Sequence, residues 1–140
     1  MKRRGQASYT FEMTMQVRDY EVDSQGIVNN ANYLHYLEHT RHQFCRRAGT
    51  SFRAMQARGI DPVLRHVDID YLTPLGLGES MRSCLSIERK GAQFIFHQDI
   101  YKEPTGEPVV QADVAVVCLE KGRLTRGDIL AEAFKDYLSD

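Results

Sequence analysis

Tryptophan is missing from this 140-residue sequence, and cysteine is scarce. Its three cysteines, Cys45, Cys84 and Cys118, form an odd set without the spacing of a zinc motif. We therefore expect reduced thiols in the core of a cytoplasmic protein. Long apolar runs are absent as well: the basic residues 2–4 are not followed by the apolar segment of a signal peptide, and no run reaches the length of a membrane span.

An excess of charge of either sign is also lacking. The 18 Lys and Arg residues against 19 Asp and Glu residues leave a net charge of -1. Such a chain lacks the basic surface that binds nucleic acids or anionic membranes, so we expect neither as a partner. The hydrophobic fraction of 42% is typical of a globular protein. A chain of 140 residues can form its own core, so we predict one domain over residues 1–140.

The longest amphipathic pattern predicts a helix over about residues 30–48. It ends ahead of Gly49, a residue type that commonly follows a helix because it adopts positive φ without steric cost. Thr50 or Ser51 then begins a short helix that Gly59 ends. The predicted apolar face of the long helix consists of Tyr33, Leu34, Leu37, Phe44 and Ala48.

Alternating apolar and polar residues predict five strands, one before the long helix and four after it. The first covers residues 8–18, with Tyr9 and Phe11 on the same face. Short turns join the other four, which favours an antiparallel sheet whose apolar face the long helix covers. This is an α+β fold of the hot-dog type, and the amphipathic segment 127–138 predicts a short C-terminal helix. The four later strands are predicted at residues 63–72, 80–89, 92–101 and 108–119.

A carboxylate, Asp23, precedes the long helix in a turn marked by Gly26. The first N–H groups of a helix have no intrahelical partner and can stabilise an oxyanion. A neighbouring carboxylate can activate water as a general base or attack a thioester carbonyl itself. In the alternative interpretation, Asp23 only shapes the turn and Asn29 or Asn30 only caps the helix. Spacing by itself favours that alternative.

The segment DSQGIVNNANYLHYLE, residues 23–38, resembles the signature of the 4-hydroxybenzoyl-CoA thioesterase family. The shared pattern is an Asp, a Gly three residues later, an apolar pair, and Asn-Tyr at the beginning of the helix. VDIDYL at residues 67–72, with Pro74 after it, is also similar, and the resemblance extends over about residues 9–119. It implies a hot-dog fold and hydrolysis of acyl-CoA thioesters, with no metal and no cofactor beyond the CoA of the substrate.

The resemblance also implies roles for particular residues. Asp23 matches the catalytic carboxylate, the backbone N–H of Asn30 polarises the thioester carbonyl, and Gly26 allows close approach of the chain to the acyl group. The family usually has Tyr or His where Asn30 stands, a difference that we expect to affect substrate preference. The expected substrate contacts are Val28, Asn29, Asn32, Tyr33 and Arg65. No glycine-rich phosphate motif is present, so the candidate contacts for the CoA phosphates, which are equally interpretable as ordinary surface charge, are Arg89, Lys90, Lys121 and Arg123.

The Asn29-Asn30 pair is similar to the acyl-ACP thioesterases, which carry an Asn and a His at two-residue steps after the Asp. Gln25 and Ile27 occupy those positions, so Asp23 has to act with backbone help alone. Acyl-ACP therefore stays an alternative to acyl-CoA, and a non-catalytic acyl-CoA-binding protein is a third possibility. The resemblance further implies a homo-oligomer, a dimer or tetramer with sites between subunits, and exposed sheet edges point the same way.

Two histidine patterns fit metal sites, but a plainer interpretation is favoured for each. Residues 35–39 fit the H-x-x-E-H zinc motif, with His42 as a third ligand by helical spacing. The three histidines, His35, His39 and His42, lie opposite the predicted apolar face and are interpreted as facing solvent or a subunit boundary. His66, Asp68 and Asp70 share one face of a strand at two-residue steps, which could hold a metal but which we interpret as a polar outer or inter-subunit face. Glu38 is a second candidate acid, at the rim of the apolar face.

Overall fold

The structure, a computed structural model, describes residues 9–139. A 3-10 turn at Asp19–Glu21 and a long helix, α1 at Asn30–Arg47, follow the first strand. A short helix, α2 at Phe52–Ala57, comes next, and α3 at Asp128–Ala133 follows the sheet. The strands are β1 Phe11–Gln16, β2 Ile60–Tyr71, β3 Ser80–Lys90, β4 Gln93–Glu103, β5 Pro108–Glu120, β6 Arg123–Leu124 and β7 Leu138–Ser139.

The five long strands form one antiparallel sheet in the order β1-β3-β4-β5-β2. Strands β1 and β2 are therefore its edges. The two-residue strand β6 pairs with β5, and β7 runs parallel to β3. The predicted antiparallel sheet, long helix and short C-terminal helix are all confirmed. Within the described residues, no helix is long and apolar enough to cross a membrane.

Helix α1 packs its aromatic and aliphatic side chains into the curl of the sheet. Phe44 is fully buried, and its ring contacts Phe11, Phe96 and Phe134 at centroid distances of 6.2, 6.1 and 5.3 Å. Burial of each such side chain stabilises the fold by about 1.5–3 kcal/mol. All three cysteines are buried free thiols, as predicted.

The buried face of α1 is wider than predicted. Leu34 was expected on it but is 41% exposed, whereas Tyr36, Thr40 and Cys45 are buried. Thr40 is satisfied there because its hydroxyl bonds the Ser83 hydroxyl at 2.7 Å. A sheet that curls around a helix contacts more than one stripe of it, so polar residues with hydrogen-bond partners join the interface.

Three other expectations need correction. Residue 8 lies outside the described residues, and β1 begins only at Phe11. Tyr9 therefore lies before the strand and does not share the face of Phe11. Its hydroxyl donates to Asp99 at 2.6 Å, on the face of the sheet opposite α1. Strand β2 begins at Ile60 rather than residue 63, because an edge strand tolerates a proline. The C-terminal helix ends at residue 133, and the chain then turns into β7.

Candidate active site

Asp23 lies in a tight loop between Val22 and Val28, directly ahead of α1. The two valines form an antiparallel bridge. The Asp23 N–H donates to the Ile27 carbonyl at 2.9 Å, and the Gly26 N–H donates to the Asp23 carbonyl at 3.0 Å. Gly26 has a φ of +80°, a left-handed conformation that costs glycine nothing. The backbone thus sets the shape of this loop, and Asp23 is exposed on it.

The two carboxylate oxygens of Asp23 have different surroundings. Oδ1 accepts the N–H of Gln25 at 2.8 Å and that of Ile27 at 3.4 Å. Oδ2 has no hydrogen-bond partner among residues 9–139. One oxygen therefore shapes the turn while the other remains accessible, so the structural and catalytic interpretations of Asp23 are compatible.

The first turn of α1 leaves one amide available. Asn29 is the N-cap: its Oδ1 accepts the Ala31 N–H at 2.9 Å, and its carbonyl accepts the Asn32 N–H at 2.9 Å. The N–H of Asn30 has no partner within the described part of the chain. The helix dipole places partial positive charge at this end. The Asn30 amide is thus a donor for an incoming oxygen, as the sequence predicts.

A pocket of about 110 Å³ lies beside this donor. Asn30, Val28 and Tyr33 form one side, and Tyr71 with Pro74 forms part of the other. The Tyr33 hydroxyl accepts the Leu75 N–H at 3.1 Å, and the Tyr33 and Tyr71 ring centroids are 5.6 Å apart. Apolar walls with a single backbone donor suit an acyl group whose carbonyl oxygen needs a hydrogen bond.

Glu21, which the sequence analysis missed, holds the beginning of α1 in place. Its carbonyl accepts the Asn29 N–H at 3.1 Å and the Asn32 side-chain amide at 2.9 Å. Asn32, an expected substrate contact, therefore has its amide nitrogen bonded to the protein. The buried carboxylate of Glu21 accepts the Arg18 N–H at 2.8 Å and the Tyr36 hydroxyl at 2.9 Å.

Tyr36 is a hydrogen-bond donor in this network. Burial, together with the hydrogen bond to Glu21, raises the pKa of its hydroxyl. Alternation alone would place Glu21 and Asp23 on one face of an extended segment. The 3-10 turn breaks that alternation, so Glu21 is buried and Asp23 is exposed.

The residues expected to bind CoA phosphates lie far from Asp23 within one protomer. The loop of Asp23 adjoins the beginning of β3, since Ile27 bridges Gly76. Arg89 and Lys90 end β3, roughly 30 Å away at about 3.3 Å per residue. The Arg89 guanidinium also donates to the Arg126 carbonyl at 2.7 Å and to Asp128 at 2.6 Å.

The other predicted cations are similarly distant. Lys121 and Arg123 follow the last residues of β5, which pair with the beginning of β2. Arg65 lies at a bulge of β2, roughly 20 Å along the strand from Tyr71. A single protomer therefore does not bring these cations to the pocket at Asn30.

The histidine patterns do not form a metal site within the chain. His35, Glu38 and His39 are exposed, and no group of three His, Cys, Asp or Glu residues within 9–139 is arranged to hold a metal ion. His42 packs on the Phe52 ring at 4.7 Å, where burial lowers its pKa. The alternating segment of β2 at residues 66–70 includes the exposed His66.

Comparison with known proteins finds thioesterases. The sequence profile of the thioesterase-like superfamily matches residues 17–134. The chain is 34% identical over 119 residues to "Acyl-acyl carrier protein thioesterase ATL2, chloroplastic" of Arabidopsis thaliana, covering 82% of this chain and 62% of that protein. It is 32% identical over 107 residues to "Long-chain acyl-CoA thioesterase FadM" of Escherichia coli strain K12, covering 76% of this chain and 80% of that one.

A solved structure has the same fold. A 1,4-dihydroxy-2-naphthoyl-CoA thioesterase from Synechocystis superposes with a TM-score of 0.82 at 18% identity, covering 90% of this chain and 96% of that one. The predicted hot-dog fold is confirmed by this likeness. The chain spans only about three fifths of the two chloroplastic relatives that it matches, 62% and 58% of their lengths.

Proposed function

Because the chain belongs to the thioesterase-like superfamily, we propose that it hydrolyses acyl-CoA thioesters to a carboxylate and free CoA. The observation that carries this proposal is the presence of two unused groups at the start of α1, of which the second belongs to a residue that lines the pocket. They are the Oδ2 atom of Asp23 and the N–H of Asn30. The first can handle a proton or attack carbon, and the second can bind the carbonyl oxygen.

The proposed reaction needs only these groups and water. Asp23 takes a proton from a water molecule as that water attacks the carbonyl carbon. Negative charge on the carbonyl oxygen is stabilised by the Asn30 N–H, and one such donor typically contributes about 10²- to 10³-fold in rate. The C–S bond then breaks and the CoA thiolate leaves. Alternatively Asp23 attacks the carbonyl carbon directly and displaces the CoA thiolate as the C–S bond breaks, and water then hydrolyses the resulting mixed anhydride to free Asp23 and the carboxylic acid. Neither route calls for a metal or a further cofactor.

We further propose that the protein is a homo-oligomer, at least a dimer. Strand β2 is an edge strand of 12 residues, and its apolar side chain Val63 is 39% exposed. Such edges normally pair or are covered. Antiparallel pairing of β2 with a second copy would bring the partner's opposite strand end, next to its Lys121 and Arg123, toward Tyr71. Cations that one protomer places far from the pocket would then approach it.

Two alternatives remain for the partner and the activity. A relative named as an acyl-acyl carrier protein thioesterase makes acyl-ACP the second candidate substrate. The third candidate is an acyl-CoA-binding protein without turnover. A cytoplasmic location is proposed because three free thiols suit a reducing compartment.

Thiol release from matched substrates tests these proposals. The protein is assayed with straight-chain and aromatic acyl-CoAs, and with the same acyl groups on acyl carrier protein. We expect turnover of acyl-CoA. Preference for every carrier-bound substrate would favour the second candidate. Tight binding of CoA without turnover of any substrate would establish the binding protein instead.

A further inference from the structure

Two adjoining pockets form a groove between α1 and edge strand β2, further along the helix than the pocket at Asn30, with which they share no lining residue. The nearer section of this groove, about 150 Å³, is lined by apolar side chains that include Leu34, Leu37 and Val67. A larger section of about 310 Å³ follows at the far end. Leu64, Glu38 and Arg41 line both of these sections. Arg41 thus lies at their junction, about 16 Å along the helix from Asn30 at 1.5 Å per residue.

Arg41 is held in the groove by a buried side chain rather than by a counter-ion. Its Nη1 donates to Oε1 of Gln98 at 3.0 Å. Gln98 is fully buried, and its amide nitrogen donates to the Leu37 carbonyl at 3.0 Å, which fixes the amide orientation. No carboxylate of residues 9–139 forms an ion pair with Arg41, Glu38 included.

The surroundings of Arg41 partly desolvate its charge. Desolvation by burial lowers the pKa of Arg41, and the negative charge of Glu38 opposes that shift. A guanidinium that is partly removed from water and has no ion-pair partner loses solvation that one neutral amide only partly replaces. Among the described residues, every buried side-chain nitrogen or oxygen has a hydrogen-bond partner. The guanidinium N–H groups of Arg41 that have no partner are therefore accessible rather than buried.

We propose that Arg41 binds a carboxylate at the distal end of the acyl group, so that the preferred substrates are thioesters of dicarboxylic acids. This inference rests on the proposed function, because it places the thioester carbonyl at Asn30. The acyl chain lies along the apolar wall at Leu34 and Leu37, and its terminal carboxylate accepts hydrogen bonds from the guanidinium, which is suited to paired contacts with a carboxylate.

Matched substrate pairs test the assignment. For each of several chain lengths, kcat/KM is measured for an acyl-CoA and for the ω-carboxyacyl-CoA of equal length. In the wild type we expect the ω-carboxyl compound to be preferred at the lengths that reach Arg41. Arg41→Met should lower that preference about tenfold or more, since charge-assisted hydrogen bonds are lost. Arg41→Lys should retain part of it.

Arg46→Met is the matched control, since Arg46 is exposed on the same helix and lines neither section of the groove. It should leave the preference unchanged. An equal preference in the wild type and Arg41→Met would overturn the assignment, provided that thermal unfolding shows the variant folded; if it is not, Arg41→Gln, which also removes the charge, takes its place in the comparison.

Binding separates this proposal from the proposed function. Non-hydrolysable thioether analogues of the same substrate pairs are titrated calorimetrically against the wild type and Arg41→Met. If the wild type hydrolyses nothing but binds the ω-carboxyl analogue more tightly in an Arg41-dependent manner, the hydrolase proposal fails and the carboxylate site stands. If the analogues bind equally to both proteins, the carboxylate site is wrong whatever the activity.

Discussion

At the scale of single residues, neighbouring atoms of the candidate site have separate roles, one structural and one available for catalysis. Oδ1 of Asp23 holds the turn through Gln25, and Oδ2 is left accessible for chemistry. The same division occurs at Asn29, whose side chain and carbonyl occupy two amides and leave that of Asn30 unused. The bonded atoms of Asp23 and Asn29 therefore fix the positions of the Asp23 Oδ2 atom and the Asn30 amide, which are available to substrate.

Glu21 is predicted to act on the reaction by positioning α1. Tyr36→Phe removes the hydroxyl that donates to Glu21 at 2.9 Å and leaves a buried carboxylate short of one donor. We expect a loss of stability of about 1–3 kcal/mol. Because Glu21 also bonds Asn29 and Asn32, kcat should fall several-fold while KM changes little. Denaturant unfolding and steady-state kinetics measure the two effects.

Thr40→Val is the matched control for that substitution. It removes another buried hydroxyl of α1, one turn further along, which bonds the Tyr36 carbonyl and the Ser83 hydroxyl but makes no hydrogen bond to Glu21. Comparable destabilisation with an unchanged kcat is expected. If Thr40→Val and Tyr36→Phe lower kcat equally, Glu21 has only a general structural role.

At the scale of elements, the beginning of α1 matters more than its length. Asn29→Ala removes the N-cap and should cost about 0.5–2 kcal/mol of stability. It should also lower kcat, because the Asn30 amide lies in the turn that the cap organises. Ser51→Ala is the control: Ser51 caps α2 by accepting the Ala54 N–H at 3.0 Å. An unchanged kcat in Asn29→Ala would mean that this turn does not position the oxyanion donor.

Local signals explain which elements the sequence predicts well. The predicted α1, residues 30–48, matches Asn30–Arg47 because a cap, an amphipathic face and Gly49 are all encoded nearby. The start of β2 was misplaced because Pro62 resembles a strand breaker until its edge position is known. Burial of Glu21 follows from a 3-10 turn and from Tyr36, 15 residues later, so no local pattern predicts it.

At the scale of the whole molecule, the sheet separates groups that the sequence analysis assigned to one substrate. Arg89 and Lys90 lie at one end of β3 and the loop of Asp23 at the other. A pattern along one chain cannot predict which end a second copy approaches. The assignment of these residues to CoA binding therefore depends on pairing of β2 with a second copy of the chain. The pattern of apolar and polar residues along one chain does not predict that pairing.

Interruption of the β2 edge tests that assembly. Val63→Lys places a charge on the exposed edge, where lysine opposes strand pairing. We expect light scattering after size exclusion to give the 16.1 kDa monomer, against at least twice that mass for the wild type. Leu124→Lys changes a side chain that is 65% exposed on β6 and should leave the oligomer intact. A monomeric wild type would refute edge pairing.

The central claim is that Asp23 and the Asn30 amide hydrolyse a thioester, and Asp23→Asn tests it most directly. Asparagine can still accept the Gln25 N–H, so thermal stability should be preserved. Loss of the carboxylate should lower kcat for acyl-CoA about 10²- to 10⁴-fold, whereas Asp136→Asn, at an exposed position after α3, should retain full activity. Hydrolysis by Asp23→Asn at the wild-type rate would contradict the account.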